Sequence, residues 1–235
     1  MIGVGDAAKH ELFDRLAEVG RALAAGSRLL MLDVLAQGER SVEHLADAAG
    51  LSVANASQHL QVLRRAGLVE TQREGTRVVY RLAGEEVLRL WVAVREVAAA
   101  RVGDVERAAR DYLGDEVEAI GRAELAGRLQ AGEVVILDVR PRVEFAAGHI
   151  QGARSVPLEE LKARLDEIPD DADVVAYCRG PYCVFAHEAV RRLRAAGRNA
   201  RRLEDGWPEW RLAGLPVGLE GDEPQGKRAR RRTTR

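Results

Sequence analysis

The 235-residue sequence predicts two domains of different class: a mainly α domain with one β-hairpin, then an α/β domain built on a mainly parallel sheet. Two observations predict this. The first half keeps a helical apolar period, broken only by two β-rich runs around Glu74-Gly75-Thr76. The second half alternates short apolar runs with helical segments, the pattern of parallel strands joined by helices. Gly114-Asp115-Glu116 is the expected boundary. It divides the chain into a first domain at 1–114, a second at 115–220 and a tail at 221–235.

Lys9 to Ala25 has apolar residues at Leu12, Phe13, Leu16, Val19 and Leu23, a helical spacing. Ser27 to Ala36 is predicted as a second helix, stopping near Gln37-Gly38, where glycine suits a C-terminal cap. Ser41-Val42-Glu43-His44 opens a short helix that ends at Ala49-Gly50. Ser52 caps the next, which is expected to turn Val53, Ala56, Leu60 and Leu63 inward and to close at Gly67. Residues 68–73 and 77–82 read as two strands of a hairpin. One long helix is expected from Glu85 towards Leu113, with Val87, Leu88, Trp91, Val94 and Val97 on its apolar stripe. In the second half, Val134 to Val139 and Val174 to Tyr177 are near-continuous apolar strands, as expected where both faces are covered. Val184 to Ala196 is helical and ends at Gly197. The tail is polar, rich in Gly and Arg, and predicted to be disordered.

Composition excludes several classes. No apolar run approaches the ~20 residues that span a bilayer, and the N-terminus lacks the basic-then-apolar order of a signal peptide. A cytoplasmic protein with no membrane partner is expected. Two cysteines, Cys178 and Cys183, are too few for a disulfide scaffold or a four-cysteine zinc site, so reactive thiols are the better reading. No metal or cofactor is called for. The net charge of −1 says nothing about nucleic acid, but residues 52–82 carry five arginines against Glu70 and Glu74. That local excess is where a DNA contact could sit.

Two short helices followed by a basic hairpin make the order of a winged helix-turn-helix. An α-helix fits the major groove of B-form DNA, and polar side chains near its N-terminus reach base edges. Ser52, Asn55, Ser57, Gln58, His59 and Gln61 are the candidates for DNA binding on this helix, with Arg64 for phosphate. Arg73, Thr76 and Arg77 on the wing could reach the backbone or the minor groove. A helical protein-interaction domain without DNA contact is the plainer alternative.

Leu23-Ala24-Ala25-Gly26-Ser27-Arg28-Leu29-Leu30-Met31-Leu32, Ser57-Gln58-His59-Leu60-Gln61-Val62-Leu63-Arg64-Arg65-Ala66-Gly67-Leu68-Val69 and the wing resemble the ArsR family of bacterial repressors over most of residues 9–82. The first stretch departs where the family usually has Asp-Pro before its Thr or Ser. The resemblance implies a homodimer, built from the first and last helices, on palindromic double-stranded operator DNA. Metal-sensing relatives use cysteines in this domain or His and Asp on the last helix. This chain has no cysteine before Cys178 and no His between Glu85 and Leu113, so soft-metal sensing has no ligands here.

Cys178-Arg179-Gly180-Pro181-Tyr182-Cys183 lies between an apolar strand and a helix. A loop there can aim backbone N–H groups at the sulfur, and the helix adds its positive end, favouring a thiolate. Arg179 can add positive charge. Such a thiolate can attack a sulfane sulfur and hold the resulting persulfide. Asp138-Val139-Arg140-Pro141-Arg142-Val143-Glu144-Phe145-Ala146-Ala147-Gly148-His149-Ile150-Gln151-Gly152-Ala153, the Cys178 loop, Asp205-Gly206-Trp207 and Leu215-Pro216-Val217 resemble rhodanese-type sulfurtransferases over about residues 116–218. The resemblance makes Cys178 the catalytic nucleophile that becomes persulfidated and places Asp138 and Arg140 at the mouth of the site. It also makes His149 structural. The six-residue loop matches sulfurtransferases, whereas the related dual-specificity phosphatases use a longer loop ending in Arg. The family often has Gly at the fourth loop position; here it is third, followed by Pro181.

Cys183 is either a small packed residue at the helix start or a second thiol able to form a disulfide or polysulfide link with Cys178. His187 is expected to be packed or solvated. The leading expectation is a sulfur-responsive transcription regulator whose partners are operator DNA and a sulfane sulfur donor such as thiosulfate, a persulfide or a polysulfide. The alternatives are a sulfurtransferase enzyme whose DNA-binding half controls its own expression, and an oxyanion-binding module.

Overall fold

The structure, a computed structural model, describes residues 4–75, 77–114 and 116–219. Thr76, Asp115 and the tail at 221–235 lie outside the described residues, as does the side chain of Arg77. The chain forms two units by contact. One holds the described part of Met1–Glu116 together with Arg179–Cys183 and Gly206–Ala213; the other holds Val117–Cys178, Val184–Asp205 and the described part of Gly214–Arg235.

In chain order the first unit has α1 (Val4–Leu23), α2 (Gly26–Leu35), β1 (Arg40–Ser41), α3 (Val42–Ala48), α4 (Val53–Arg65), β2 (Val69–Glu74), β3 (Arg77–Leu82), α5 (Glu85–Arg101) and α6 (Gly103–Leu113). The helix ends follow their capping chemistry. Ser41 Oγ accepts the His44 N–H at 3.4 Å and Ser52 Oγ accepts the Asn55 N–H at 3.3 Å, each relieving an orphan donor. At the end of α4, Leu68 N–H donates to Leu63 O and Gly67 N–H to Arg64 O, with Gly67 at φ +71°. These paired bonds are the Schellman motif, and its left-handed residue explains the glycine. β1, β3 and β2 form an antiparallel sheet in that order. The wing is β2 and β3, registered from Val69 opposite Leu82 to Glu74 opposite Arg77.

Met31, Leu32, Leu45, Ala56, Leu60, Leu63, Leu68 and Tyr80 make the core of the helix-turn-helix. Three expectations need correction. The long helix from Glu85 is two helices, because Val102 is extended (φ −103°, ψ 99°) before α6 starts at Gly103. A β-branched residue followed by glycine is a weak point in a helix, and the exposed Val97 beside it has no packing to hold it straight. Val53 is also turned outward, at the first position of α4, and Val97 leaves the apolar stripe. Leu12, Phe13 and Leu16 on α1 are likewise exposed.

The remaining elements are β4 (Ala119–Ile120), α7 (Arg122–Ala131), β5 (Val135–Asp138), α8 (Arg142–Ala147), β6 (His149–Ile150), β7 (Arg154–Ser155), a 3-10 helix (Leu161–Glu167), β8 (Asp173–Tyr177), α9 (Val184–Ala195), β9 (Asn199–Leu203), α10 (Trp207–Leu212) and β10 (Val217–Gly218). All except α10, which lies in the first unit, belong to the second. A five-stranded sheet runs β4-β9-β8-β5-β7, with every pair parallel. The middle strand, β8, is fully buried from Val174 to Tyr177, which is why it reads as an unbroken apolar run. β6 and β10 pair separately and antiparallel. From β5 the sheet continues to β7 on one side, and from β8 to β9 on the other. The carboxyl ends of β5 and β8 therefore flank a topological switch point, where ligands of parallel sheets bind. No helix among the described residues is long and apolar enough to cross a membrane.

Leu60 is fully buried in the first core. Leu60→Ala is expected to lower stability by about 2–5 kcal/mol, read as a lower midpoint of chemical denaturation.

Candidate functional site

β5 ends at Asp138 and β8 at Tyr177, and these two strand ends pair directly, Asp138 opposite Tyr177. Cys178 is the next residue after β8. Beneath it lies a closed polar network. Arg140 Nη2 donates to Asp138 Oδ2 at 2.6 Å and to Gly148 O at 2.8 Å, and Arg140 Nε donates to Asp138 Oδ1 at 3.0 Å. The Tyr177 hydroxyl donates to Asp138 Oδ2 at 2.6 Å and accepts the Ile150 N–H at 3.0 Å. Asp138, Arg140 and Tyr177 have no exposed surface at all. Asp138 and Arg140 were expected at the mouth of the site; both are fully buried and present no surface there. A charged pair survives there because each partner satisfies the other, and removing one member of such a pair costs about 3–5 kcal/mol.

Titration follows the same geometry. Burial pushes the Tyr177 hydroxyl well above its usual 10.0, the Asp138 carboxylate adds to this, and Arg140 opposes it. Burial disfavours the Arg140 cation, yet Asp138, Tyr177 and Glu144 outweigh it and raise its pKa above the ordinary value.

Cys178 and Cys183 are both in the thiol form, not joined in a disulfide, the first buried and the second half-buried. Gly180 is buried; Arg179, Pro181 and Tyr182 are half-buried. Cys183 N–H donates to Gly180 O at 3.1 Å, so Gly180-Pro181-Tyr182-Cys183 is a β-turn with proline at its second position, the place its fixed φ suits. His149 is buried, stacked on Phe145 with ring centroids 3.7 Å apart, and its Nδ1 lies 3.1 Å from Phe145 O. His187 is buried as well. A cleft of about 180 Å³ in the second unit is lined by Val139, Pro141, Leu158, Glu159, Phe185 and Arg192. Val139 belongs to the switch point, its N–H donating to Tyr177 O at 3.2 Å.

On α4, Asn55, Gln58 and Arg64 are exposed and Ser57, His59 and Gln61 half-buried. Ser52 is exposed with its hydroxyl engaged as the cap, and Arg73 on the wing is exposed. Thr76 and the Arg77 side chain are outside the described residues. His59 Nδ1 lies 3.4 Å from Arg28 Nη1. Arg28 in turn donates to Ala22 O and Arg21 O at the end of α1, so His59 ties α4 to α2 and α1.

Residues 26–71 match the bacterial regulatory protein family arsR, and residues 122–213 match the rhodanese-like domain. The chain is 56% identical over 209 residues to the HTH-type transcriptional regulator Rv0324 of Mycobacterium tuberculosis, covering 89% of this chain and 92% of that protein. The chain belongs to the ArsR family of bacterial regulators and carries a rhodanese-like domain. Two solved structures match one part each. The homodimeric winged helix-turn-helix DNA-binding domain of Mb0332 from Mycobacterium bovis is 53% identical, with 40% of this chain and 87% of that one covered (TM-score 0.39). A rhodanese-related protein from Thermoplasma volcanium is 27% identical, with 44% of this chain and 99% of that one covered (TM-score 0.40).

Three residues of this ArsR–rhodanese chain escaped the sequence reading. Tyr177 was legible only as the last residue of a strand, although it closes the Asp138 network. Arg95 continues the Leu88, Trp91, Val92 stripe of α5 and is buried with it; a lone cation at an apolar position is the signal. Glu209, three residues after Gly206, accepts the Gly206 N–H at 3.0 Å, a spacing readable as half of a capping box.

Tyr177→Phe removes the donor to Asp138 and the acceptor of Ile150, and is expected to cost about 2–3 kcal/mol. With its folded pKa raised, Tyr177 contributes stability fully present below pH 10 that is lost as pH rises through the folded value. Denaturation midpoints measured across pH 9–12 should fall more steeply for the wild type than for Tyr177→Phe.

Proposed function

We propose that this ArsR-family chain is a sulfur-responsive transcription regulator that binds operator DNA as a homodimer and carries sulfane sulfur on Cys178. The observation that carries it is the position of Cys178: a thiol directly after β8 at the switch point of the parallel sheet, followed by a tight turn. In such a site a thiolate attacks the outer sulfur of thiosulfate or of a persulfide. A Cys178 S–S bond forms, the donor S–S bond breaks, and its electron pair leaves on sulfite or on the donor thiolate. Charge is conserved, and no oxidant or cofactor is required. Cys183, half-buried five residues on, can then attack Cys178 Sγ, closing a disulfide as hydrosulfide leaves; where Cys178 carries two added sulfurs, attack on the first of them closes a polysulfide link and again releases hydrosulfide.

Asn55, Gln58 and Arg64 are proposed to meet DNA through α4, with Arg73, Thr76 and Arg77 on the wing. Ser57, His59 and Gln61 lie closer to the core, and Ser52 holds the helix start. The exposed Leu12, Phe13 and Leu16 on α1, and Val97, Val102 and Tyr112 on α5, α6 and their junction, supply apolar surface for a homodimer. The proposed division is a DNA-binding and dimerisation domain at 1–114, a rhodanese-like domain at 115–220 and a basic tail at 221–235.

The test is operator affinity with and without a sulfane sulfur donor, on duplex selected from a random pool. The wild type is expected to change affinity on adding polysulfide, and Cys178→Ser to keep one affinity throughout. A donor effect that persists in Cys178→Ser would sink the sensor role. Turnover of thiosulfate and cyanide, measured in parallel, would reveal a sulfurtransferase enzyme. Gln58→Ala should lose about 1–3 kcal/mol on the selected duplex and relax its specificity, whereas Arg64→Ala should weaken all duplexes alike and lower the salt slope by about one.

A further inference from the structure

The loop after the cysteine belongs by contact with the ArsR-type helices: Arg179–Cys183 and Gly206–Ala213 share a unit with α1 to α6. Within that unit the Arg179–Gly180 peptide is held on two sides. Gln37, buried at the end of α2, donates its side-chain N–H to Arg179 O at 3.3 Å and also to Asp33 O at 3.3 Å. The guanidinium of Arg95, from α5, lies so close to Gly180 that a Cβ there would sit 2.7 Å from Nη1. On the other side Gly206 packs on the same peptide, where a Cβ would sit 2.5 Å from the Arg179 carbonyl carbon and from Gly180 Cα.

These contacts are knitted together by buried charge. Arg95 is ion-paired with Asp33 at 3.5 Å and with Glu209, and it lies over the Trp91 ring at 5.4 Å. Trp91 Nε1 donates to Asp33 Oδ1 at 3.1 Å, and Glu209 Oε2 accepts the Gly206 N–H. Arg95 and Glu209 are almost fully buried, where such pairs are stiff because separating them exposes a charge to a low dielectric. Asp33 and Gln37 stand at one end of α2. At its other end Arg28 reaches His59 on α4. α5 follows directly from the wing strand β3.

We infer that Gln37 and Arg95 are positioning residues of the cysteine loop, and that α2 and α5 carry the sulfur state of Cys178 to the DNA-reading helix and wing. The second half rests on the proposed sulfur chemistry. Transfer from a donor lengthens the Cys178 side chain by one S–S bond of about 2 Å and moves the negative charge to the outer sulfur. The peptide that begins at Arg179 is the next one along the chain. It cannot follow that charge without moving Gln37 and Arg95.

The experiment uses the full chain. The midpoint of the pH profile for Cys178 alkylation, read by peptide mass spectrometry without donor, is measured for wild type, Gln37→Met, Arg95→Met and Arg95→Lys. Loosening the loop's N–H groups should raise the midpoint by about half a pH unit in both Met variants, a roughly threefold change in the thiolate equilibrium. Arg95→Lys should recover part of it. Gln37→Met is close in size and leaves the charge cluster whole, so it stands if Arg95→Met fails to fold.

Operator affinity is then measured with and without inorganic polysulfide, which gives one sulfur to Cys178 and departs one atom shorter. Both Met variants should still take sulfur by mass, yet their affinity change should fall below about twofold, under 0.4 kcal/mol. Equal midpoints in wild type and folded Gln37→Met overturn the positioning role, and a full donor response in that variant overturns the relay. A wild type that takes sulfur with no change in affinity sinks the sensor reading and the relay with it, while the donor-free midpoints still decide the positioning role.

Discussion

A buried arginine needs a carboxylate, and Arg140 finds one two residues back at Asp138, with no exposed surface on either. The pairing bends the chain sharply as it leaves β5, because the backbone N–H of Arg140 also donates to Asp138 Oδ1 at 3.0 Å. Tyr177 then joins β8 to the same carboxylate and to the Ile150 backbone. Three segments are thereby fixed to one another at the switch point of the sheet. Cys178 leaves β8 from that fixed end. The network lies below the surface and gives the loop that follows a fixed origin.

Above that origin the loop is short and closed. Proline at the second turn position fixes one φ, and the Gly180–Cys183 hydrogen bond fixes the span. Rigidity of this kind suits anion binding, since N–H groups already aimed at a charge need no reorganisation when the charge arrives. It also limits what the loop can absorb. A flexible loop would accommodate an extra sulfur by local motion and pass nothing on.

Much of this was legible in the sequence. The caps at Ser41 and Ser52, the glycine at Gly67 and the hairpin around Gly75 are local signals, and each folds as local chemistry dictates. The Asp138 and Cys178 motifs were legible because they are contiguous. What was not legible depends on pairing across the chain. Tyr177 meets Asp138 across 39 positions, and nothing in a strand sequence says which hydroxyl will find a carboxylate. Arg95 is hidden differently: of the expected stripe Val87, Leu88, Trp91, Val94 and Val97, all but the exposed Val97 meet the core, but the buried face also takes in Val92 and Arg95. The helix break at Val102 follows from the same error of extent. The periodicity runs on through the Val-Gly pair that interrupts the helix.

Coupling between a sulfur site and a DNA site needs a difference in free energy, since a modification equally comfortable in both states of a protein shifts neither. One tenfold change in affinity corresponds to about 1.4 kcal/mol, a fraction of what a buried ion pair loses when one partner is displaced. The Asp33–Arg95–Glu209 cluster is thus of sufficient strength: losing roughly a third to a half of the ~3–5 kcal/mol of a broken buried pair matches a tenfold switch. In the proposed relay Gln37 sets the sensitivity instead, because a neutral hydrogen bond contributes only about 1 kcal/mol net. A strong cluster behind a weak latch gives a definite direction of movement without locking the loop. In the proposed relay the sign of regulation is set by whether α2, drawn by Gln37, moves His59 and α4 into or out of the register that operator DNA selects.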